Sequence, residues 1–288
     1  MRFLALLLAV LSLAGAARAE EHVTFPSLDG TTTLAGELHR PDADGVRPAL
    51  VFLHGCGGLG PGGRPAPVLA AWARHLRAQG YVVLLVDSAG PRGFGATCNA
   101  GPERRVMIRD RPKDAFGALA YLQSLPGVRP DRIGIMGWSQ GGGATLLAVA
   151  DRSSGRPAGW AGPDFRAAVA LYPGACSERL HEPPFVDAPP DSWRTGIPLL
   201  ILQGGADNWA RPEPCERFAA AAARRGSPVT FHVYPGAHHV FDAPGLSPRE
   251  LPQFRLTDGT VPIVGTDRSA RADALARVPA FLARYMTD

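Results

Sequence analysis

Short apolar segments alternate with longer alanine-rich segments along most of the chain. The short segments are apolar on both faces, which is typical of strands buried in a parallel sheet. They cover residues 49–53, 81–86, 132–136, 167–171, 198–202 and 229–233. The alanine-rich segments carry apolar residues at helical spacing and predict helices over residues 66–79, 113–125, 140–150, 213–225 and 269–285.

This alternation predicts an α/β fold with a mostly parallel central sheet and helices on both faces, because parallel strands need crossover connections. Ahead of it, residues 22–25 and 32–39 predict a leading β-hairpin. Two proline-rich segments, 174–196 and 242–267, interrupt the alternation and are long enough to be functional excursions over the sheet. Since no repeat or linker is visible, we expect a single domain over residues 20–288.

The first 19 residues have a different pattern. Residues 1–2 form a minimal positive region, residues 3–14 are rich in leucine, and residues 17–19 have the small-x-small pattern of a cleavage site. The apolar run is shorter than the roughly 20 residues that cross a bilayer, and no cysteine follows a lipobox-like sequence. We therefore expect a cleaved signal peptide over residues 1–19, no stable membrane anchor, and a periplasmic or secreted protein.

Composition excludes several classes of protein. The chain has 288 residues, of which 45% are hydrophobic and 19% charged, so it is neither disordered nor a coiled coil. The formal net charge of +4 falls to +2 without Arg2 and Arg18 of the signal peptide. The remaining arginines are scattered, and Lys113 is the single lysine. We therefore expect no nucleic-acid partner.

Four cysteines are present, and no two of them form a C-x-x-C pair. This spacing argues against a zinc site or a thioredoxin-like redox motif. In an exported protein an even number of cysteines permits two disulfides, with three possible pairings. The cysteines are Cys56, Cys98, Cys176 and Cys215.

The most informative motif is Gly-Trp-Ser-Gln-Gly at residues 137–141, which matches G-x-S-x-G between a predicted strand and a predicted helix. That is the setting of a nucleophile elbow, a turn so tight that glycine is needed on both sides of the central serine. The alternative is an ordinary glycine-rich turn. In the elbow interpretation, Ser139 is the nucleophile at the carboxyl end of the sheet.

A serine nucleophile needs a base and an acid, here expected in the chain order Ser, Asp or Glu, His. Asp207 follows the 198–202 strand, and a pair of histidines, His238 and His239, follows the 229–233 strand. Strand ends at one edge of a parallel sheet are where catalytic side chains collect. Asp87 and Asp242 are weaker candidates for the acid, because the first precedes the serine and the second lies too near the histidines.

At this point the chain resembles a known family, the dienelactone hydrolases of the α/β-hydrolase superfamily. The similarity runs from about residue 49 to the last predicted helix. It is carried by His-Gly-Cys-Gly-Gly at 54–58, the 137–141 motif, the 204–207 turn, and Tyr-Pro-Gly-Ala at 234–237 followed by His239 and Phe241. The A-x-H-x-F pattern of the family falls on residues 237–241, which favours His239 over His238 as the base.

The resemblance also implies an oxyanion hole formed by the backbone amides of Cys56 and Gln140. The chain departs from the family in having a serine where the founding members use a cysteine nucleophile. The arginines that bind a lactone carboxylate in those enzymes have no definite counterpart in this chain. Arg92 is the best candidate for binding an anionic group, and a solvent-facing loop arginine is an equal alternative. Trp138 and Trp209 flank the proposed catalytic residues and are candidates for the substrate pocket, although core packing is an equal alternative.

The predicted topology narrows the disulfide pairing. Cys176 and Cys215 follow strands that should be neighbours, so we prefer this bridge, with Cys56 to Cys98 as a weaker second. Adjacent histidines rarely converge on one ion, so no metal is expected, and no cofactor is needed by the chemistry.

The sequence therefore predicts a serine hydrolase that cleaves a small-molecule ester or lactone through an acyl-serine intermediate. A serine peptidase or a thioesterase of the same fold is the alternative within this class. A catalytically inactive exported binding protein is the alternative from a different class. The physiological substrate and the oligomeric state do not follow from the sequence.

Overall fold

The computed structural model describes residues 20–99, 101–177, 181, 183, 185–186 and 188–287. The expected signal peptide, residues 1–19, lies outside the described residues. In the described part of the chain, no helix combines the length and the apolar character that a membrane span needs.

An eight-stranded sheet forms the centre of the fold, in the order β1-β2-β4-β3-β5-β6-β7-β8. The pairs β1/β2 and β2/β4 are antiparallel, and every other neighbouring pair is parallel, which confirms the mostly parallel sheet and the leading hairpin. The strands are β1 (Glu21–Pro26), β2 (Thr33–His39), β3 (Arg47–Leu53), β4 (Val82–Asp87), β5 (Val128–Trp138), β6 (Ala168–Leu171), β7 (Leu199–Gly204) and β8 (Val229–Tyr234).

Helices cover both faces of the sheet, as the two-faced apolar strands require. Along β3, Leu50 and Phe52 belong to the core under α1 and α5, whereas Ala49, Val51 and Leu53 belong to the core under α2, α3 and α4. These helices are α1 (Pro67–Arg77), α2 (Pro102–Ser124), α3 (Gln140–Ala148), α4 (Pro212–Arg224) and α5 (Arg268–Met286). The expected α/β-hydrolase architecture is therefore present.

Helix α2 begins eleven residues earlier than the sequence predicted, at Pro102 instead of residue 113. Pro112 lies inside it, and an internal proline removes one helical hydrogen bond and ordinarily marks a break. Here Met107, Pro112 and Phe116 are all buried. We infer that packing against the rest of the fold outweighs the local penalty.

The second proline-rich excursion contains a small antiparallel pair, β9 (Arg249–Glu250) and β10 (Ile263–Val264). This pair contacts the loop after β8, since His239 forms a β-bridge with Val264. The His239 carbonyl also accepts a hydrogen bond of 3.1 Å from the Gly265 amide. The excursion therefore supports the loop on which the histidine pair lies.

Candidate active site

Ser139 lies in a sharp turn between β5 and α3 with a backbone φ of 53°. A positive φ is uncommon for a residue other than glycine and stores strain, as expected of a nucleophile elbow. The turn is held by three backbone hydrogen bonds. The Ser139 amide donates to the Leu171 carbonyl at 2.9 Å, and its carbonyl accepts from the amides of Gly143 and Gly174, both at 3.0 Å.

This turn requires glycine at residues 137 and 141, because no side chain fits at either position. A Cβ atom on Gly137 would lie 2.2 Å from the Gly141 carbonyl oxygen, and one on Gly141 would lie 2.0 Å from the Leu53 carbonyl oxygen. Real Cβ atoms do not approach backbone that closely. The glycines of the G-x-S-x-G motif are therefore steric requirements of packing α3 against β3 and β5.

The loops after β7 and β8 bring Asp207 and His239 to Ser139. His239 Nε2 lies 2.9 Å from Ser139 Oγ, and its Nδ1 lies 2.6 Å from Asp207 Oδ2. Asp207 is itself fixed, since its Oδ1 accepts the amides of Trp209 and Ala210, both at 2.9 Å, and its Oδ2 accepts Gln203 Nε2 at 3.2 Å. Both Asp207 and His239 are buried.

The other candidates for base and acid are used elsewhere. His238 Nδ1 lies 3.1 Å from the Ala206 carbonyl, and Asp87 accepts the amides of Ala89 and Gly90. Asp242 is buried and accepts hydrogen bonds from Trp72, Trp138 and Tyr172. Burial raises the pKa of Asp242 in spite of these three donors.

Asp242 connects the elements of the site instead. Tyr172, which donates to Asp242 Oδ1 at 2.7 Å, also packs its ring edge-on against His239, with 4.6 Å between the ring centroids. The indole of Trp138 donates to the other oxygen of the same carboxylate at 2.9 Å. Asp242 therefore joins the histidine loop to the residue that precedes the nucleophile.

Cys56 and Gln140 both line the space next to Ser139, where the expected oxyanion hole lies. Gln140 is the first residue of α3, so its amide has no partner within the helix and lies at the positive end of the helix dipole. Cys56 follows β3 in a turn whose Gly58 has a φ of 80°. Residues of two separate elements therefore line the cavity beside the nucleophile.

His54, the first residue after β3, contacts Arg111 of α2, and both residues are buried. Arg111 Nη2 donates to the His54 carbonyl at 2.8 Å, while His54 Nδ1 lies 2.6 Å from the Gly55 carbonyl. Burial, reinforced by the charge of Arg111, lowers the pKa of His54 to about 3. Burial lowers the pKa of Arg111 to about 10, so the guanidinium stays charged. At neutral pH His54 is therefore a neutral structural group.

A cavity of about 400 Å³ opens over Ser139 and His239. Its wall combines α2, the N-terminal turns of α3, the segment after β6 and the second proline-rich excursion, which supplies Leu256 and Asp258. Trp209 lines it too, with its ring 5.1 Å from the His239 ring and stacked on Phe254. Trp209 therefore lines the cavity, which agrees with the pocket alternative of the two that the sequence left open.

The placement of Arg92 contradicts its assignment as a binder of anionic groups. Its guanidinium is 6% exposed, lies away from the cavity wall and forms ion pairs with Asp29 at 2.7 Å and Asp114 at 2.8 Å. Burial alone would lower the pKa of Arg92, but Asp114 and Asp29 raise it above its ordinary value. Arg92 is a structural cation whose charge is already neutralised.

The structure contradicts the pocket assignment of Trp138 and agrees with its alternative, core packing. Trp138 is 2% exposed, packs against Phe52 and Trp72, and donates to Asp242, so it belongs to the core and not to the substrate pocket. Alternate residues of an extended segment point to opposite faces, so the neighbour of the nucleophile faces away from it.

Arg104 is a cavity residue that the sequence interpretation missed. It lies in the first turn of α2, where no helix was predicted, and its Nη1 donates to the Cys98 carbonyl at 2.6 Å. Burial lowers its pKa from the ordinary value. A second arginine among the described cavity residues, Arg211, is already paired with Asp258 at 2.6 Å. Among the described residues that line the cavity, Arg104 is therefore the arginine that is not paired with a carboxylate.

Both expected disulfides are formed, Cys56–Cys98 and Cys176–Cys215, with Cα–Cα distances of 4.8 and 4.7 Å. The preferred and the weaker pairing are therefore both confirmed. All four cysteines line the cavity. The first bridge holds the loop after β3, and the second ties α4 to the segment after β6.

In the described ranges, one group of side chains could offer three metal ligands, namely Glu20, Glu37 and His39. It lies on β2 and just before β1, away from the strand ends that carry Ser139. His39 Nε2 already lies 2.7 Å from Glu37 Oε1, which forms an ion pair when His39 is protonated. We assign no chemistry to this group.

Comparison with known proteins gives a family and a fold. Residues 35–286 match the model of the dienelactone hydrolase family. A probable 2-oxo-3-(5-oxofuran-2-ylidene)propanoate lactonase from Bradyrhizobium sp is 26% identical over 71% of this chain and 77% of its own length. The quorum-quenching protein AidA of Acinetobacter baumannii is 33% identical over 40% of this chain, a match that spans 34% of that relative.

Among solved structures, the dienelactone hydrolase-like promiscuous phosphotriesterase P91 from metagenomic libraries superposes with a TM-score of 0.66 at 18% identity. That superposition covers 94% of this chain and 99% of the other, which shows a shared fold. The family match, by contrast, extends from β2 to the end of α5. The chain therefore belongs to the dienelactone hydrolase family.

Proposed function

We propose that this protein is a serine hydrolase that cleaves carboxylic esters or lactones through an acyl-serine intermediate. The observation that carries the proposal is the continuous hydrogen-bonded chain from Ser139 through His239 to Asp207, at the base of a cavity. A serine hydroxyl is a weak nucleophile until an adjacent base accepts its proton. Membership of the dienelactone hydrolase family supports the same reaction class.

In the acylation step, Ser139 Oγ attacks the substrate carbonyl carbon and transfers its proton to His239 Nε2. Asp207 accepts the Nδ1–H of the imidazole, which leaves Nε2 free as the base, and it stabilises the imidazolium that forms. The bond to the leaving oxygen then breaks, and His239 returns the proton to that oxygen. An ester yields an acyl-serine and a free alcohol. A lactone ring opens to an acyl-serine whose acyl chain carries the new hydroxyl group.

The negative charge that develops on the carbonyl oxygen needs hydrogen-bond donors already in place. We assign this role to the amides of Cys56 and Gln140, assisted by the N-terminal dipole of α3. In deacylation, a water gives its proton to His239 and attacks the acyl carbon, and Ser139 leaves with the proton returned. No metal or cofactor enters either step.

The cavity supports a small-molecule substrate. Its volume of about 400 Å³ lies in the range of ordinary small-ligand sites, and Trp209 and Leu256 give part of it an apolar wall. Arg104, in place of Arg92, is our candidate for holding an anionic group of the substrate. The lactonase name of the Bradyrhizobium relative fits such a substrate.

We also propose that the protein is exported and acts in the periplasm or outside the cell as a single domain over residues 20–288. Two disulfides support this location, because such bonds persist in oxidising compartments. The pattern of residues 1–19 agrees with it.

The test compares the native protein with Ser139→Ala on short-chain aryl esters and on a panel of esters and lactones graded by length and charge. We expect the substitution to lower kcat by about 10⁴-fold or more while the fold is retained. A fluorophosphonate should modify the native protein once, at Ser139, as read by peptide mass. Hydrolysis that persists in Ser139→Ala would refute the acyl-serine mechanism.

The same panel separates the alternatives within the fold. A thioester and a dipeptidyl anilide of matched acyl group distinguish a thioesterase and a peptidase from an esterase by their relative kcat/KM. If the native protein hydrolyses nothing and the fluorophosphonate does not react, an inactive binding protein becomes the better interpretation.

A further inference from the structure

The loop between β4 and α2 buries two adjacent residues against the site. Thr97 and Cys98 are 4% and 7% exposed, whereas the flanking Ala96 and Asn99 are exposed. Neither residue belongs to a helix or strand. A loop normally runs over the surface, so two buried residues within it indicate a specific contact.

The first contact is with Cys56. Cys98 is bonded to it by the disulfide, and the Thr97 amide donates to the Cys56 carbonyl at 2.7 Å. Cys56 is therefore held at two points, its side chain and its carbonyl. Gly55, Gly57 and Gly58 surround this residue, and a glycine-rich turn has little rigidity of its own.

The second contact is with Gln140. Thr97 Oγ1 donates to Gln140 Oε1 at 3.1 Å, and Gln140 Nε2 donates to the Thr97 carbonyl at 3.3 Å. Arg104, from the first turn of α2, donates to the Cys98 carbonyl at 2.6 Å and so anchors the same segment. Thr97 and Cys98 thus connect Cys56 to Gln140, the two residues to which we assign the oxyanion hole.

We propose that Thr97 and Cys98 are positioning residues that hold the Cys56 and Gln140 amides at the spacing an oxyanion requires. This inference rests on the proposed function. The two amides come from different elements, the loop after β3 and the start of α3, so their spacing needs a connection between those elements. Stabilisation by such donors falls steeply when they are displaced, and a shift of about 1 Å costs on the order of 10²-fold in rate.

The first experiment removes the disulfide with Cys56→Ser/Cys98→Ser, which keeps a backbone amide at residue 56 but releases its connection to residue 98. The control is Cys176→Ser/Cys215→Ser, because its cysteines also line the cavity and close a chain segment of 39 residues against 42. Similar loop lengths predict similar losses of stability. A change confined to the first variant therefore reports on the oxyanion hole.

The readout is kcat/KM for an ester divided by kcat/KM for the matched thionoester. A thiocarbonyl sulfur is larger and a poorer hydrogen-bond acceptor, so the ratio measures how tightly the hole fits an oxygen. We expect Cys56→Ser/Cys98→Ser to lower kcat and to reduce the ratio by about tenfold, with KM little changed. The control should keep the native ratio, whatever its kcat.

A second variant covers the case in which the disulfide variant does not fold. Thr97→Val removes the hydroxyl and keeps the shape, and we expect it to reduce kcat and the ratio by about threefold to tenfold. Thr97→Ser keeps the hydroxyl and should restore both.

The outcomes separate this inference from the proposed function. A native ratio in folded Cys56→Ser/Cys98→Ser, or in Thr97→Val, would overturn the positioning role while ester hydrolysis by the native protein stood. Absence of hydrolysis and of fluorophosphonate labelling in the native protein would overturn the proposed function, and the positioning role with it.

Discussion

Arg92 and Arg104 lie only twelve positions apart, yet the structure gives them opposite surroundings. Arg92 meets two carboxylates and is nearly inaccessible, whereas Arg104 faces the cavity with its charge not paired to a carboxylate among the described residues. An arginine that is already neutralised contributes to stability, and one that faces a pocket can contribute to binding. The two residues therefore allow a matched test.

We expect Arg104→Met to raise KM about tenfold or more for esters that carry a carboxylate and to leave KM for neutral esters unchanged. Arg92→Met should lower the free energy of unfolding by about 3 kcal/mol, because it strands two buried carboxylates, and should not discriminate between charged and neutral esters. Steady-state kinetics on a charged and a neutral ester, together with urea unfolding, measure both effects. An equal rise in KM for the two esters would remove Arg104 from substrate recognition.

At the scale of residues, the sequence predicted the catalytic residues better than it predicted the residues of the pocket. Motif order and spacing predicted Ser139, Asp207 and one of two adjacent histidines, and the family resemblance selected His239; the structure places Ser139, Asp207 and His239 in one hydrogen-bonded chain. Arg92 was misassigned, and pocket and core were left as equal alternatives for Trp138, because adjacency in sequence does not reveal which way a side chain points. Arg104 was missed because its surroundings depend on helix α2, whose first half was not predicted.

At the scale of elements, the least predictable helix is the one that shapes the cavity. Residues 102–112 carry many charges and end in a proline, so no local signal identified them as helical. Their helicity depends on contacts that form only when Met107 and Phe116 pack against the sheet. The strands, by contrast, were predicted within a few residues, since apolar runs that are buried on both faces depend little on tertiary context.

The elbow gives a prediction at the same scale. Gly141→Ala should destabilise the fold by about 2 kcal/mol or more and abolish ester hydrolysis, because the new Cβ would overlap the Leu53 and His54 carbonyls and push α3 from β3. Gly196→Ala is the control, since a Cβ atom at that exposed loop position meets nothing within 4 Å. Thermal unfolding and ester kinetics of the two variants measure the difference. Equal effects would mean that close packing of α3 does not set the elbow.

At the scale of the whole molecule, two fully buried histidines make stability depend on pH. Burial lowers the pKa of His54 to about 3 and that of His181 to about 4. His181 Nε2 lies 2.9 Å from the Ala175 carbonyl, and its ring packs between Trp193 and Phe218. In the unfolded chain each imidazole binds a proton at about pH 6.5.

Between about pH 4 and pH 6.5 the unfolded chain therefore binds more protons than the native protein, so the stability contributed by neutral burial is present above pH 6.5 and is lost as pH falls. For His181 alone the loss between pH 7 and pH 5 is roughly 2 kcal/mol.

We expect His181→Gln, which can still donate to the Ala175 carbonyl, to flatten the pH dependence of the unfolding free energy by about that amount. His22→Gln, at an exposed position on β1, should keep the native slope. Urea unfolding at pH 5, 6 and 7 measures the slopes, and a native slope in His181→Gln would show that His181 binds its proton equally in both states.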